Sequence, residues 1–178
     1  TYDPVGFVYG VSLSADGGTA YLSTGSSGLH IIDSKDLFNP QLSSSLNTRG
    51  WSYDLALSED ETTAFIADWG SGLQIVDLVD SSINSLFNGA VSVATSPELI
   101  ATFDTSGNAW DVTLSSDGNS AFLADGNGGL KIIDISNPGS PVLGGAYVTS
   151  GDALGVGVSS DGNTALVADE GMGLHIID

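Results

Sequence analysis

The sequence predicts an all-β protein of four similar units, and three observations carry that prediction. First, the segment Gly28-Leu29-His30-Ile31-Ile32-Asp33 returns as Gly72-Leu73-Gln74-Ile75-Val76-Asp77, as Gly129-Leu130-Lys131-Ile132-Ile133-Asp134 and as Gly173-Leu174-His175-Ile176-Ile177-Asp178, at offsets of 44, 57 and 44 residues. Second, apolar runs of four to seven residues, many of them β-branched or aromatic, are separated by Asp-Gly, Gly-Gly and Asn-Pro steps, a pattern of strands in which helix length is never reached. Third, the recurring segment is apolar at Leu130, Ile132 and Ile133, so the sheet that contains it must be covered on both faces. Four-stranded antiparallel sheets of about 44 residues, each buried by its neighbours, are the blades of a β-propeller.

The units run over about 7–48, 49–104, 105–149 and 150–178, as parts of one domain. The offsets that align the recurring segment also carry Asp16 onto Asp60, Asp117 and Asp161, and Ala20 onto Ala64, Ala121 and Ala165. In the third unit, Trp110 to Leu114 is a first strand and Ser120 to Ala124 a second, joined by Asp117-Gly118; Leu130 to Ile135 and Val142 to Tyr147 complete the blade. Asp-Gly suits a type I′ turn, whose two central residues take positive φ. Asp16-Gly17 and Asp161-Gly162 repeat the device, and Asp60-Glu61 lacks the glycine. The longer offset places about 13 extra residues within 79–95, read as a loop insertion with a short helical turn. The fourth unit stops before an outer strand, so the chain is expected to be part of a larger propeller or to be completed by a second copy.

Composition removes several classes of function. The 178 residues contain no Cys, which excludes disulfides and thiolate sites, and the apolar fraction of 41% is enough for a buried core. No apolar run reaches the ~18 residues of a membrane helix, and the start at Thr1 reads as a processed or excerpted chain. Three Lys+Arg against 22 Asp+Glu, a formal charge of −19, argues against nucleic acid and anionic membranes as partners. The same acidity points to a cation-rich setting, extracellular or at the cell surface.

These residues resemble the LVIVD repeat, a β-propeller repeat of bacterial and archaeal surface proteins. The resemblance rests on Trp110-Asp111-Val112, on Ala121-Phe122-Leu123-Ala124-Asp125, on Gly129 through Pro138 and on Pro141-Val142-Leu143. Unit two keeps Tyr53-Asp54-Leu55, Ala67-Asp68 and Gly72 to Asp77 but has no Asn-Pro step. Unit one has Gly10 for the early Asp and Thr24 for the later one, and unit four has Gly155 at the early position. The resemblance implies a propeller fold and no particular chemistry.

Carboxylates are the abundant reactive groups, and 18 of the 22 are Asp. Asp16, Asp60, Asp117 and Asp161 in hairpins, with Asp33, Asp77, Asp134 and Asp178 at strand ends, are expected to bond nearby backbone amides. Asp54 and Asp111 before the inner-strand apolar residues, with Asp68, Asp125 and Asp169 after the second strand, are the candidate metal ligands. Calcium is the cation that such oxygen-rich loops would select, since it takes six to eight oxygens. No catalytic residue is assigned: His30 and His175 share a position with Gln74 and Lys131, which reads as an exposed strand start.

The candidate contact residues are Trp69, Phe87, Met172, Tyr53 and Trp110. Tyr9, Tyr53 and Trp110 share one repeat position, either as an inner packing layer or as an aromatic rim that takes a sugar or peptide. Trp69 stands where the other units have Gly25, Gly126 and Glu170, in a variable loop, and is a natural anchor. Three functions follow: a non-catalytic surface module that binds a protein or glycan, a self-assembling filament subunit, and a calcium-dependent propeller hydrolase.

Overall fold

The computed structural model describes residues 1–79 and 96–178. The insertion, apart from Val79, and with it Phe87 and the expected helical turn, lies outside the described residues.

Among the described residues, fifteen strands form four antiparallel meanders, each with its strands in sequence order. Blade 1 contains β1 (Gly10–Leu13), β2 (Thr19–Ser23), β3 (Leu29–Asp33) and β4 (Gln41–Leu46). Blade 2 contains β5 (Asp54–Leu57), β6 (Thr63–Ala67), β7 (Leu73–Asp77) and β8 (Glu98–Phe103), and blade 3 contains β9 (Asp111–Leu114), β10 (Ser120–Ala124), β11 (Leu130–Asp134) and β12 (Val142–Tyr147). Blade 4 has β13 (Ala153–Val158), β14 (Ala165–Asp169) and β15 (Gly173–Ile177). Each outer strand carries a one-residue bulge opposite the third strand, at Ser43, Ile100 and Gly144.

Burial explains the order of the blades. The third strands present apolar side chains to both faces, and β7 is buried at Leu73, Gln74, Ile75 and Val76. The front face of one blade meets the rear face of the next. Tyr21, Leu29 and Ile31 pack on Leu55, Ala64, Ile66 and Val76. Phe65, Leu73 and Ile75 pack on Val112, Ala121, Leu123 and Ile133, and Phe122 and Leu130 on Ala165 and Val167. The inner strands pack in the order β1 on β5, β5 on β9 and β9 on β13. The result is an open arc of blades about a shared axis, the partial propeller that the repeat predicts.

The hairpins depart from the expected type I′ geometry. Ser14 N–H donates to Thr19 O and Gly17 N–H to Ser14 O, so Ala15 to Gly18 form a four-residue loop around a tight turn. Only Gly17, with φ +69°, is left-handed there. Asp16 instead accepts from Ser14 Oγ at 2.7 Å and from Gly18 N–H at 2.8 Å. Asp60, Asp117 and Asp161 accept from Ser58, Ser115 and Ser159 in the same way. The Asp closes the turn as an acceptor and leaves the positive φ to the residue after it. In blade 2 that residue is Glu61, at φ +58°.

Candidate functional site

Two sets of side chains converge on the loops that lead into the inner strands. The first is structural. Asp68, fully buried, accepts from Thr48 Oγ1 at 2.7 Å and from Gly50 N–H at 2.7 Å. Asp125 accepts from Thr105 Oγ1 at 2.5 Å and Gly107 N–H at 3.1 Å, with Lys131 Nζ at 3.7 Å. Asp169 accepts from Gly151 N–H at 2.9 Å, from the amides of Gly171 and Met172, and pairs with His175 Nε2 at 3.1 Å. Each carboxylate therefore ties its own blade to the segment that enters that blade's inner strand. Burial is the largest influence on all three, raising Asp68 and Asp125 above the usual carboxylate range. At Asp169 the backbone amides and His175 together outweigh burial and hold the group low. Blade 1 has Thr24 here, whose Oγ1 donates to Gly28 O at 2.8 Å.

The second set lies nearer the axis. Asp54 and Asp111 start β5 and β9, and their carboxyl groups share a hydrogen bond. Asp54 Oδ2 accepts from Val112 N–H at 3.4 Å, and Asp111 Oδ2 accepts from Val156 N–H at 2.7 Å, each reaching to the next blade. Burial first, then the bond and negative charge of Asp111, pushes Asp54 up to about 7. A side chain at Gly10 would come within 2.8 Å of Asp54 Oδ1, so the glycine of blade 1 leaves room for this pair.

Of the five candidate metal ligands, then, Asp54 and Asp111 are brought together, while Asp68, Asp125 and Asp169 sit in separate blades, each with its own donors. Among the described residues no group of three or more His, Cys, Asp or Glu is arranged around a common point. His30 and His175 are not the exposed residues expected. His30 is 7% exposed, its Nδ1 3.0 Å from Tyr2 Oη, and burial lowers its pKa. Both lie on the rear face of a third strand, where any long polar side chain is accommodated if its tip finds a partner.

The aromatic candidates form a stack. The Tyr9 and Tyr53 ring centroids lie 4.7 Å apart, those of Tyr53 and Trp110 4.4 Å, and Phe7 continues the row at 6.4 Å from Tyr9. The row crosses three blades at the entry to their inner strands. Trp51 lies beside Gly25: its indole Nε1 is buried without a hydrogen-bond partner and lies 2.6 Å from where a Gly25 Cβ would stand, with Tyr9 Cε2 3.2 Å from the same point. Trp69 is 43% exposed and left-handed at φ 43°, a conformation its counterparts Gly25 and Gly126 adopt without a Cβ. Its backbone bridges to Ala109, the residue before Trp110, with N–H···O distances of 3.1 and 3.0 Å. Met172, 64% exposed, occupies the corresponding loop of blade 4. Phe7 and Trp51 escaped the sequence reading because Asn108 and Asp152 stand at their repeat position in the other blades, leaving no aromatic column to notice.

This geometry matches known proteins at the level of family and fold. The LVIVD repeat model matches residues 49–105, 106–149 and 150–178. The chain belongs to the LVIVD repeat family. Blade 1, with Gly10 and Thr24, lies before the first matched repeat yet forms the same four-stranded meander. No curated protein matches this LVIVD-repeat chain. Among solved structures it is similar to Kuenenia stuttgartiensis hydrazine synthase, with TM-score 0.74 and 16% identity over 100% of this chain and 47% of that one. It is also similar to the Myceliophteria thermophila Cps50 (Swd1) β-propeller domain, with TM-score 0.75 and 15% identity over 95% and 52%. A functionally unknown protein from Desulfotomaculum acetoxidans gives TM-score 0.63 and 21% identity over 92% and 49%. The chain thus spans about half the length of these structures, and the likeness is one of fold.

Proposed function

We propose that this LVIVD-repeat chain is a non-catalytic interaction module, working outside the cell or at its surface, that holds a protein or glycan partner on the loop face carrying Trp69 and the Phe7–Tyr9–Tyr53–Trp110 row. The observation that carries this reading is Trp69. A bulky side chain in a left-handed conformation costs about 1–2 kcal/mol, and the fold does not require it, since Gly25 and Gly126 occupy the same conformation. Strain of this kind concentrates where a side chain is held for contact. Half-exposed aromatic surface with indole and phenol donors at its edge suits both sugar rings and peptide side chains. Acidity supports the location and directs the choice of partner toward neutral or basic surfaces.

The test is a binding screen on glycan and peptide arrays with the chain and two variants that copy its own repeats, Trp69→Gly and Trp110→Leu. Retained folding with binding lost in both variants is the expected result. A ligand that binds both variants as tightly as the parent chain would overturn the assignment of this face.

A further inference from the structure

The ends of the blades opposite the Trp69 loop carry a feature that the fold does not require. The loop 34–40 joins β3 to β4 beside the hairpin of blade 1, where Ser34 N–H donates to Gly18 O at 3.0 Å and Ser34 Oγ to Gly17 O at 2.9 Å. Asp36 closes the loop: its carbonyl accepts from Asn39 N–H at 3.0 Å and its Oδ1 from Phe38 N–H at 3.0 Å. At the tip of this fixed turn stand Leu37, 80% exposed, and Phe38, at 95% the most exposed large apolar side chain among the described residues. Blade 3 makes the same turn, with Ser140 N–H donating to Asn137 O at 2.9 Å, and has Pro138 and Gly139 at its tip. A turn that Pro-Gly builds equally well does not call for Leu-Phe, and two adjacent apolar side chains held in water add nothing to the core. Their exposure does not depend on which blades stand alongside. Blade 3 has a neighbour on both sides, yet Ser136, Asn137, Gly139 and Ser140 of its loop stay exposed.

We propose that Leu37 and Phe38 anchor a second protein, which receives them in an apolar pocket set in a basic surface. This contact lies at the other end of the blades from the aromatic row and does not rest on the loop-face proposal. Charge selects the partner. Asp16, Asp33, Asp36, Asp60 and Glu61 stand at this end of blades 1 and 2, and among the described residues Lys35 is the only cation with them. Arg49 and Lys131 belong to the opposite loops. The Ser14 and Ser58 hydroxyls hold Asp16 and Asp60 below the usual carboxylate range, so both stay ionised at neutral pH. Glu61 Oε1 accepts from Ala15 N–H at 2.5 Å, which draws the hairpins of blades 1 and 2, and their charges, together.

A lipid surface fits this end less well. Anionic headgroups repel the carboxylates, and a bilayer that took up the tip would draw Asp33 and Asp36 out of water with it. A protein pocket spares them that loss, because basic side chains at its rim can pair with them. The two apolar side chains then supply most of the affinity, and the rim supplies the salt dependence.

The test is calorimetric titration of the 178-residue chain with two Lys-rich peptides of equal length and charge, in low and in about 0.15 M salt. One peptide carries Leu at a spacing that gives an apolar helical face, and the other has Ser in those places. The Leu-bearing peptide is expected to bind about 10-fold tighter or more, and both should weaken as salt rises. Leu37→Pro/Phe38→Gly, which copies blade 3, should abolish the preference, keep the parent's unfolding midpoint, and bind ligands of the Trp69 face as the parent does. A second readout uses the absence of Cys from the chain. Asn39→Cys places one thiol beside the tip, which should react with a maleimide as fast as a free thiol and more slowly once the Leu-bearing peptide is bound. Equal affinity for the two peptides, a preference that survives Leu37→Pro/Phe38→Gly, or slow labelling without peptide would each overturn the proposal. So would neutral phosphatidylcholine vesicles that bind the parent and not that variant, since the tip would then be a lipid anchor.

Discussion

Asp54→Asn is expected to stabilise the protein at neutral pH and to have no effect in acid. Asp54 shares a hydrogen bond with Asp111, and burial together with that neighbour raises it from 3.8 to about 7. A carboxyl whose folded value is raised holds its proton longer in the folded state than in the unfolded chain. Its contribution to stability is therefore complete below the unfolded value and disappears as pH climbs toward 7. At about 1.4 kcal/mol per pH unit the span corresponds to about 4 kcal/mol. Partial exposure lets water screen the pair, which reduces this to about 2 kcal/mol. For a chain of this length that is an unfolding-midpoint difference of about 4–8 °C. Asparagine keeps a donor toward Asp111 but cannot ionise, so the variant should unfold about that much higher than the parent near pH 8 and at the same temperature near pH 4. Calorimetry across this range, with chelator present to exclude bound cations, gives the answer, and comparison of the two chains cancels every other titrating group. A difference that is independent of pH, or a variant less stable than the parent at pH 8, would refute the account of the pair.

Asp125→Ala removes the acceptor of Thr105, Gly107 and Lys131, and a cost of about 3–5 kcal/mol is expected by chemical denaturation. Thr24→Ala, at the same position of blade 1, should cost only about 1 kcal/mol, since it loses one neutral hydrogen bond. Leu73→Ala opens a cavity between blades 2 and 3 and should cost about 2–5 kcal/mol in the same assay. The turn carboxylates Asp16, Asp60, Asp117 and Asp161 are all held low, first of all by the neighbouring serine hydroxyl. Their contribution is present above the unfolded value and is lost as pH falls below it, so Ser115→Ala should flatten the acid limb of the stability curve.

The architecture was legible because one surface requirement repeats. Leu29, Leu73, Leu130 and Leu174 recur with apolar partners on both sides, and only stacked sheets satisfy that demand four times. The hairpin geometry was misread for a local reason. Asp-Gly alone signals a type I′ turn, whereas Ser14, two residues before Asp16, supplies the donor that lets Asp16 cap the turn. Serine at 58, 115 and 159 was equally visible. The clamps at Asp68, Asp125 and Asp169 also left a trace, because Thr and Gly stand 20 and 18 residues before each of them. That spacing crosses from one unit into the next, and a reading confined to single loops passes over it. Gln74 and Lys131 share the position of His30, and that polar column suggests a surface site. Polar character there reports the need for a partner at the tip, and the stem is buried all the same.

What sequence alone cannot reach is the cost of a residue's backbone, and Trp69 makes the point testable. Ordinarily glycine is the less favourable of a glycine–alanine pair by about 0.5–1 kcal/mol, because its unfolded chain has more freedom to lose. At φ 43° the order should reverse. Trp69→Ala removes the indole and keeps a Cβ in the left-handed region, whereas Trp69→Gly removes the indole and the strain together. The two variants lose the same ring contacts, so their difference isolates the backbone, and glycine should be the more stable by about 1 kcal/mol. Denaturant midpoints of the two variants measure it directly. If alanine proves equal or better, the loop relaxes around Trp69 at no cost, and the indole needs no external contact to account for its place. If glycine wins, the left-handed Cβ at Trp69 costs stability that the equivalent glycine loops of blades 1 and 3 keep, which is the cost that the contact proposed for the indole requires.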